Sequence, residues 1–366
     1  MTKQAVLLLA HGTPETVEQI PAYLRNVVSG RPLPESVVEE IQHRYALIGK
    51  SPLTEITLEQ ARLVERELNG EGDEGSGSHP SDKNKDVARV GHPHPARVGH
   101  PERMGHPAEL AASEARIPVY VGMRNWRPYI PDVVKQMRAD GIDEVAVICM
   151  APQNSRTSVG LYRRAVEAEA GDLRIDFTAA WADHPLLADA FAERLRPAWE
   201  KASAETGAAV PVLFTAHSVP VRTVQAAAEP AGEAQPKLWP GQGVDPYAED
   251  ARRTAEMVAA RVPEIPRWEF AFQSQGASGG PWLGPSVEET LERMAGEGVK
   301  AVVLQPIGFL CDHVEILYDV DILFRDVAIG LKIQLYRPES LNASKILAQA
   351  IADLSRQGLA RLSGTV

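Results

Sequence analysis

Short apolar runs alternate with amphipathic stretches along nearly the whole chain, and this alternation limits the fold more than any other feature. The runs are rich in Val, Ile and Leu, and stretches with helical periodicity separate them. Strands that are apolar throughout are buried on both faces, as in parallel sheets covered by helices. The sequence therefore predicts an α/β protein built on parallel sheets. The predicted strands lie at 4–10, 117–122, 144–150, 174–178, 210–215, 268–272, 301–305 and 332–335.

The number of strands indicates two sheets, in two doubly wound, Rossmann-like lobes. At 366 residues the chain is long enough for both. We place an N-terminal α/β lobe at residues 1–151 and a second lobe, carrying the candidate metal-site residues, at 152–339. The last helical pattern begins near residue 342, and we expect a C-terminal helix within 340–366 to pack back on the first lobe.

Residues 70–116 interrupt the alternation and form a predicted insert in the first lobe. They are rich in Gly, Ser, Pro and charge, with three near-repeats of the form Arg-Val/Met-Gly-His-Pro. Histidine-rich tracts bind metals, so one interpretation is a metal-collecting tail. We favour a disordered surface loop, because Gly and Pro in each repeat prevent a helix that would bring the imidazoles together. The histidines of the insert are His79, His92, His94, His100 and His106.

Charge and cysteine content argue against several classes of protein. The net charge of −11 and the pI near 5.5 disfavour nucleic acid as a partner. The two cysteines, Cys149 and Cys311, cannot hold a four-thiolate iron–sulfur cluster and indicate no disulfide scaffold. The N-terminus shows no cleavable signal pattern and no apolar run is long enough to span a bilayer, so we expect a cytoplasmic protein. No glycine-rich dinucleotide fingerprint follows a strand, which disfavours a nicotinamide enzyme.

A histidine and two carboxylates follow the seventh predicted strand. His313, Glu315 and Asp319 lie where that strand passes into a helix, which we predict to begin at Asp312 and to end near Arg325. Ligands of open α/β sheets bind at the carboxyl ends of strands, and these side chains are suited to metal or proton chemistry. The structural alternative is a capping box, because Asp312 and Glu315 have its spacing and it needs no ligand.

Two further histidines follow predicted strands: His217 after the fifth and His11 after the first. A neutral imidazole can accept a proton near pH 7 or bind a borderline divalent metal. Carboxylates such as Glu315 and Asp319 would complete a mixed nitrogen–oxygen site suited to Fe(II). Alternatively, His217 is a core histidine bonded to loop backbone, and His11 bonds only its own turn.

Several motifs together resemble those of the ferrochelatases, and the resemblance covers nearly the whole chain apart from the insert. It implies a lyase of haem biosynthesis that inserts ferrous iron into a porphyrin held in a cleft between the lobes. It also implies no permanently bound cofactor, with Fe²⁺ as a substrate. The motifs are Ala10-His11-Gly12-Thr13-Pro14, Arg44-Tyr45, Ser51-Pro52-Leu53, Thr215-Ala216-His217-Ser218-Val219-Pro220, Gln273-Ser274, Trp282-Leu283-Gly284-Pro285, Pro306-Ile307-Gly308-Phe309, Asp312-His313-Val314-Glu315, Tyr336-Arg337-Pro338-Glu339 and Leu341-Asn342-Ala343.

The same resemblance assigns roles to individual positions. It implies that His217 and Glu315 face each other across the cleft, bind the metal and accept the pyrrole protons. Asp319 would lie on an acidic path that delivers iron or removes protons. The positions that match porphyrin contacts in the family are His11, Arg44, Tyr45, Ser51 and Tyr162.

Within the family, the sequence is similar to the branch that uses coproporphyrin III rather than protoporphyrin IX. Membrane-associated members carry a longer apolar lip after the first helix, whereas residues 29–34 here are short and polar. Some positions depart from the soluble branch. It usually has Tyr where His11 stands, often has Arg where Val28 and Ser29 stand, and tends to have an acid where Leu323 stands.

Two other functions are alternatives to ferrochelatase activity. The turn His11-Gly12 is also similar to that of small cobalt chelatases acting on sirohydrochlorin. A non-catalytic two-lobed protein that carries haem or metal is the other alternative, although such proteins are generally exported and we find no signal pattern. For the favoured function we expect porphyrin and ferrous iron as partners and a monomeric chain.

Overall fold

The structure of the protein is a computed structural model that describes residues 2–71, 116–156, 158–225, 244–275 and 280–364. Its strands are β1 (Gln4–Ala10), β2 (Val119–Met123), β3 (Glu144–Cys149), β4 (Arg174–Thr178), β5 (Val212–His217), β6 (Trp268–Gln273), β7 (Ala301–Pro306) and β8 (Gln334–Tyr336). Its helices are α1 (Ile20–Val27), α2 (Glu35–Ile48), α3 (Leu53–Leu68), α4 (Ile130–Ala139), α5 (Val159–Glu167), α6 (Pro185–Thr206), α7 (Val221–Val224), α8 (Tyr247–Ala259), α9 (Val287–Gly296), α10 (Val314–Leu317), α11 (Arg325–Gly330) and α12 (Lys345–Ser363). A 3-10 turn, Val17–Gln19, precedes α1, and a π-helix, Asp319–Phe324, lies between α10 and α11. Within these ranges, no helix has both the length and the apolar character needed to cross a bilayer.

The described strands form two parallel sheets of identical topology. The first sheet has the order β2-β1-β3-β4 and the second has the order β6-β5-β7-β8. Every pairing in both sheets is parallel. The direction of winding reverses between β1 and β3 and between β5 and β7, and such switch points are where ligands bind in open α/β sheets. The predicted fold class of two doubly wound lobes is confirmed.

Alternate residues of the central strands belong to different hydrophobic cores. On one face of β1, Val6 and Leu8 pack in a large core that also contains Val212 and Phe214 of β5, so one core joins the two sheets. On the other face, Leu7 packs with residues of α4 and α5. This division follows from the alternation of side chains along a strand that is buried on both faces.

Helix α12 packs against β3 and β4 of the first sheet and against α3 and α6. Gly358 permits this close approach, because a Cβ there would lie 3.0 Å from the Cβ of Ala146 and 3.0 Å from Oδ1 of Asp176. Arg361 donates two hydrogen bonds to the Asp176 carboxylate, at 2.8 and 2.7 Å. The end of the chain is thus fixed to the first sheet.

The predicted helix after β7 is wrong in its start and in its continuity. His313 has extended backbone, α10 begins at Val314, and the π-helix separates α10 from α11. The capping box does not form, because the Asp312 carboxylate accepts hydrogen bonds from Ser340 and Asn342, at 2.6 and 2.9 Å.

Two other predicted boundaries are displaced by local backbone conformation. Helix α12 begins at Lys345 rather than near 342, because Asn342 has a φ of 45° and Ser344 caps the helix. Strand β8 begins at Gln334 rather than at Lys332, whose φ is 58°. A φ in this region ends regular structure for most residues.

The predicted insert lies almost entirely outside the described residues, and all of its histidines lie outside them. Its two ends are described and lie close together. Arg116 Nη2 is 3.4 Å from Glu71 Oε1, and the Ile117 N–H donates to Asn69 Oδ1 at 2.9 Å. The chain therefore leaves the first lobe and returns to it at one place.

Candidate active site

The switch points of the two sheets open on a common cavity of about 300 Å³. His11 contributes to its wall from the end of β1, Met150 from the end of β3, His217 from the end of β5, and residues 308–311 and 313–315 from the segment after β7. Side chains of α1, α3, α5 and α8 complete the wall, including Tyr23, Leu53, Thr57, Gln60, Tyr162 and Tyr247.

His217 and Glu315 contact each other on this wall. His217 is the last residue of β5, Glu315 lies in the first turn of α10, and His217 Nε2 is 3.3 Å from Glu315 Oε1. His217 Nδ1–H donates to the Ser218 carbonyl, and the Tyr247 hydroxyl donates to the His217 carbonyl at 2.8 Å. Gln273 Nε2 donates to the Glu315 carbonyl at 3.1 Å. Neighbouring side chains therefore fix the main chain of both residues.

His217 and Glu315 each shift the pKa of the other. Burial lowers the pKa of His217, but the Glu315 carboxylate outweighs it and raises that pKa to about 9. Burial raises the pKa of Glu315, but His217 and His313 hold it well below its usual value. The cavity therefore holds an imidazolium–carboxylate pair at neutral pH.

His313 faces the second oxygen of the same carboxylate. Its Nε2 is 3.4 Å from Glu315 Oε2, its Nδ1–H donates to the Cys311 carbonyl at 3.1 Å, and its ring centroid lies 4.5 Å from that of Phe309. The position of His313 after β7 predicted a side chain suited to metal or proton chemistry together with Glu315, and the two side chains face each other here. Within the described chain, no three His, Cys, Asp or Glu side chains are arranged to hold a metal ion by themselves.

His11 lies on the first-lobe side of the cavity. Its Nε2 is 2.9 Å from the Tyr23 hydroxyl and 3.0 Å from Asn125 Nδ2. Burial and the Arg124 guanidinium lower the pKa of His11 to about 3, so the ring is neutral at physiological pH. Gly12 has a φ of 78°, and a Cβ there would come within 2.8 Å of a neighbouring side chain, so glycine is required in the turn behind His11.

Tyr162 lines the cavity beside Arg124, whose guanidinium carbon lies 5.5 Å from the Tyr162 ring centroid. Tyr162 was predicted from the sequence and Arg124 was not, although Arg124 follows β2 as His11 follows β1. Tyr23, Gln60 and Tyr247, which reach the cavity from helices, were not predicted either. No strand-end position marks these three residues in the sequence.

The remaining predicted residues lie beside the cavity and are not part of its wall. Asp319 is buried, accepts a hydrogen bond from Ser274 and lies 3.2 Å from Arg44 Nη1, while Arg44 stacks over Tyr318. Burial raises the pKa of Asp319 to about 6, against the lowering effects of Ser274 and Arg44.

Tyr45 and Ser51 are also buried near this position, where burial raises the pKa of Tyr45 and the nearby Ser51 hydroxyl opposes that rise. Among the described residues, neither hydroxyl has a partner with full hydrogen-bond geometry. Tyr45 packs with Tyr23 of the cavity wall and with Val314. Among the described residues, the two hydroxyls are therefore buried polar groups with at most each other as a partner.

A family model described as ferrochelatase matches residues 3–79 and 106–359 of this sequence. The chain belongs to the ferrochelatase family. The stretch that the family model leaves unmatched falls within the insert. As a ferrochelatase, the enzyme is a lyase that inserts ferrous iron into a porphyrin in haem biosynthesis, which confirms the predicted reaction over the two alternatives.

Relatives along the full length agree with this assignment. A ferrochelatase from Acidobacterium capsulatum is 52% identical, covering 99% of this chain and 97% of its own. A ferrochelatase from Thermus thermophilus is 34% identical, covering 95% of this chain and 97% of its own. A coproporphyrin III ferrochelatase from a Geobacillus species is 28% identical, covering 96% of both chains.

Solved structures show the same fold at low sequence identity. The structure of SirB from Bacillus subtilis with Fe³⁺ is 10% identical and has a TM-score of 0.50, with 99% of this chain and 98% of that chain covered. At this identity the likeness concerns the fold alone.

Proposed function

We propose that this ferrochelatase acts on coproporphyrin III, with His217 and Glu315 holding the ferrous ion and accepting the pyrrole protons. The observation that carries the proposal is the 3.3 Å contact between His217 Nε2 and Glu315 Oε1 on the cavity wall. An imidazole nitrogen and a carboxylate oxygen are suitable donors for Fe(II), and both are bases once deprotonated.

The protonation state of the pair sets the order of events. With the pKa of His217 at about 9, the imidazole carries a proton at neutral pH and can neither bind a metal nor accept another proton. A divalent cation arriving beside Glu315 repels that proton and favours its transfer to water. The neutral imidazole and the carboxylate then accept the two pyrrole protons in turn, as iron passes to the porphyrin nitrogens.

The macrocycle would contact His11 and Tyr162 on the cavity wall. Its four carboxylates require cationic and hydroxyl partners, and we assign Arg44, Tyr45 and Ser51 to them. The hydroxyls of Tyr45 and Ser51 support this assignment, because both are buried and, among the described residues, have at most each other as a partner. Arg44 is held by Asp319 in this state and would have to exchange that contact for a substrate carboxylate.

Asp319 is proposed as a proton acceptor next to the pair. Its pKa of about 6 lies close to neutrality, so it exchanges protons readily in the physiological range. Its hydrogen bond from Ser274 and its ion pair with Arg44 keep it on the π-helix side of the site.

The proposal includes a monomeric, cytoplasmic enzyme without a permanently bound cofactor, for which Fe²⁺ is a substrate. Both cysteines are free and buried, which is usual in reducing compartments. Size-exclusion chromatography with light scattering checks the monomer, and metal analysis of the purified enzyme checks the cofactor.

Anaerobic steady-state metallation with Fe²⁺ tests the substrate. We expect kcat/KM for coproporphyrin III to exceed that for protoporphyrin IX by at least about tenfold, because the second substrate lacks two of the carboxylates. Ser51→Ala should narrow this ratio by raising the KM of coproporphyrin III. Equal kcat/KM values, or a preference for protoporphyrin IX, would contradict the proposal.

A further inference from the structure

Four polar side chains form a hydrogen-bonded cluster outside the cavity wall, behind the segment that joins β7 to α10. They are Asp312, Arg337, Ser340 and Asn342, and we call them the clamp. Asn342 Oδ1 accepts from the Asp312 N–H at 2.9 Å, and Asn342 Nδ2 donates to Asp312 Oδ2 at 2.9 Å. One amide thus binds both the main chain and the side chain of the residue that precedes His313.

The Asp312 carboxylate is fully engaged by protein groups. Oδ1 accepts from Ser340 Oγ at 2.6 Å and from Arg337 Nη1 at 3.3 Å, in addition to the bond from Asn342 to Oδ2. Arg337 also donates two hydrogen bonds to Asp321 on the π-helix, at 2.6 and 2.9 Å. Because Asp312 is not part of the cavity wall, these bonds position the chain and leave the carboxylate no contact with substrate.

The segment held by the clamp is also fixed by the burial of Leu310 and Cys311 in the large core and by a hydrogen bond from Gln153 Nε2 to the Ile307 carbonyl at 3.1 Å. The Ile307 N–H donates to the Thr215 carbonyl at 2.8 Å, and the next regular structure is α10. Between them, the Asn342 N–H donates to the Leu310 carbonyl at 3.0 Å. Asn342 has a φ of 45°, a conformation that Asn adopts more readily than most residues.

The clamp is also tied to the first lobe. Gln60 of α3, which lines the cavity, donates from Nε2 to the Asn342 carbonyl at 2.8 Å. Asn342 therefore connects α3 of the first lobe to the segment that joins β7 to α10 in the second lobe.

We propose that Asn342 is a positioning residue for iron insertion, which acts through Asp312 to set where His313 and Glu315 stand relative to His217. The inference rests on the proposed function, because it concerns the same histidine and glutamate. A displaced carboxylate slows chemistry without weakening porphyrin binding, because misplacement of a reacting group by about 1 Å can cost about a hundredfold in rate.

Asn69 provides a matched control far from the cavity. Its Oδ1 accepts from the Ile117 N–H at 2.9 Å, and its Nδ2 donates to the carbonyls of Ile117 and Glu65, at 3.1 and 2.7 Å. Asn69→Ala therefore removes a similar set of hydrogen bonds. We expect both alanine variants to lower the melting temperature, but only Asn342→Ala to lower kcat, by roughly 10- to 100-fold, with the KM of the porphyrin unchanged.

Exchange of the two clamp partners separates positioning from general stability. Asn342→Asp sets two carboxylates against each other and should lower kcat. In the double variant Asp312→Asn, Asn342→Asp, the new amide at 312 can donate to the new carboxylate at 342, while its oxygen still accepts from Ser340 and Arg337. The double variant should recover at least about a third of wild-type kcat, because the clamp bonds are restored with reversed polarity.

An unchanged kcat in Asn342→Ala, or a double variant no faster than Asn342→Asp, would overturn the inference. If Asn342→Ala does not fold, Ser340→Ala is tested instead, because this substitution removes only one hydrogen bond to Asp312. It should lower kcat about twofold or more. An unchanged kcat in Ser340→Ala would also overturn the inference. Glu315→Gln, assayed in parallel, tests the proposed function separately. Full turnover in that variant would contradict the catalytic role of His217 and Glu315, independently of the results for the clamp variants.

Discussion

Glu315 Oε1 lies 3.3 Å from His217 Nε2, although Glu315 is in the first turn of the helix after β7 and His217 ends β5. Parallel pairing of β5 with β7 brings the two strand ends together, and glycine at 308 permits the close packing of the segment after β7, because a Cβ there would lie 3.0 Å from Cα and Cβ of Ala216. The contact therefore depends on both strands. The protonation states of His217 and Glu315 are the basis of the first two predictions below.

Replacement of His217 by alanine should abolish metallation while porphyrin still binds. The imidazole is both a metal ligand and a base in the proposed mechanism, so turnover at saturating iron should fall by more than about a hundredfold. His184→Ala is the control, since His184 pairs with Asp353 at 3.1 Å outside the cavity wall. Retention of more than about a tenth of wild-type turnover in His217→Ala would exclude the role, because a general base contributes more than that.

Replacement of Glu315 by glutamine should lower the pKa of His217. The carboxylate is the cause of its rise, and burial acts in the opposite direction, so the value should fall from about 9 toward or below 6.5. Titration of the imidazole by NMR in both proteins measures the change. The same pKa in the two proteins would show that Glu315 does not hold the proton on His217.

The neutral state of His11 should make the protein less stable in acid. Its pKa is lowered from 6.5 in the unfolded chain to about 3 in the folded protein. The stability contributed by the neutral ring is therefore complete above pH 6.5 and is lost as the pH falls toward 3. In His11→Gln, which cannot titrate, the fall in unfolding free energy over this window should be shallower by at most about 1.4 kcal/mol per pH unit. Denaturant unfolding at several pH values measures how the unfolding free energy of each protein changes with pH. Equal slopes in the two proteins would contradict the lowered pKa of His11.

Replacement of His11 by tyrosine should speed product release and change the absorption spectrum of the bound haem product. A neutral imidazole is a stronger ligand for ferrous haem than a protonated phenol. Because His11 lines the cavity and its pKa is about 3, it is available as a neutral ligand if it gives up its contact with Tyr23. Stopped-flow release and spectra of both proteins test this. An altered spectrum with equal release rates would support ligation of the product iron by His11 but contradict an effect on release. Identical spectra and identical release rates would rule out both the ligation and its effect on release.

Deletion of residues 80–105 should leave turnover and stability nearly unchanged. The family model passes over this stretch, and the chain leaves and re-enters the lobe where Arg116 lies 3.4 Å from Glu71. Because the entropic cost of closing a loop changes slowly with its length, the shorter insert should change the free energy of unfolding by less than about 1 kcal/mol. A full-length variant with His92, His94 and His100 replaced by alanine removes the same histidines without changing the length of the insert. A higher KM for iron in both variants would show that the insert collects metal.

The strands and the chemistry of their ends could be predicted from sequence. Burial on both faces makes each strand apolar throughout, and this pattern is local, so the limits of β1 were predicted to the residue. The histidines at 11 and 217 were identified because each is a polar residue that directly follows or ends such a run. The same principle would have found Arg124 after β2.

Only the tertiary structure decided which partners these side chains meet. Asp312 has the spacing of a helix cap, yet its carboxylate binds Ser340 and Asn342, which lie far along the chain. Arg44 matched a porphyrin contact, and in the folded chain it pairs with Asp319 of the other lobe. Local sequence sets the conformation of a segment, whereas the charge and hydrogen bonds of a side chain depend on groups that packing brings within about 4 Å.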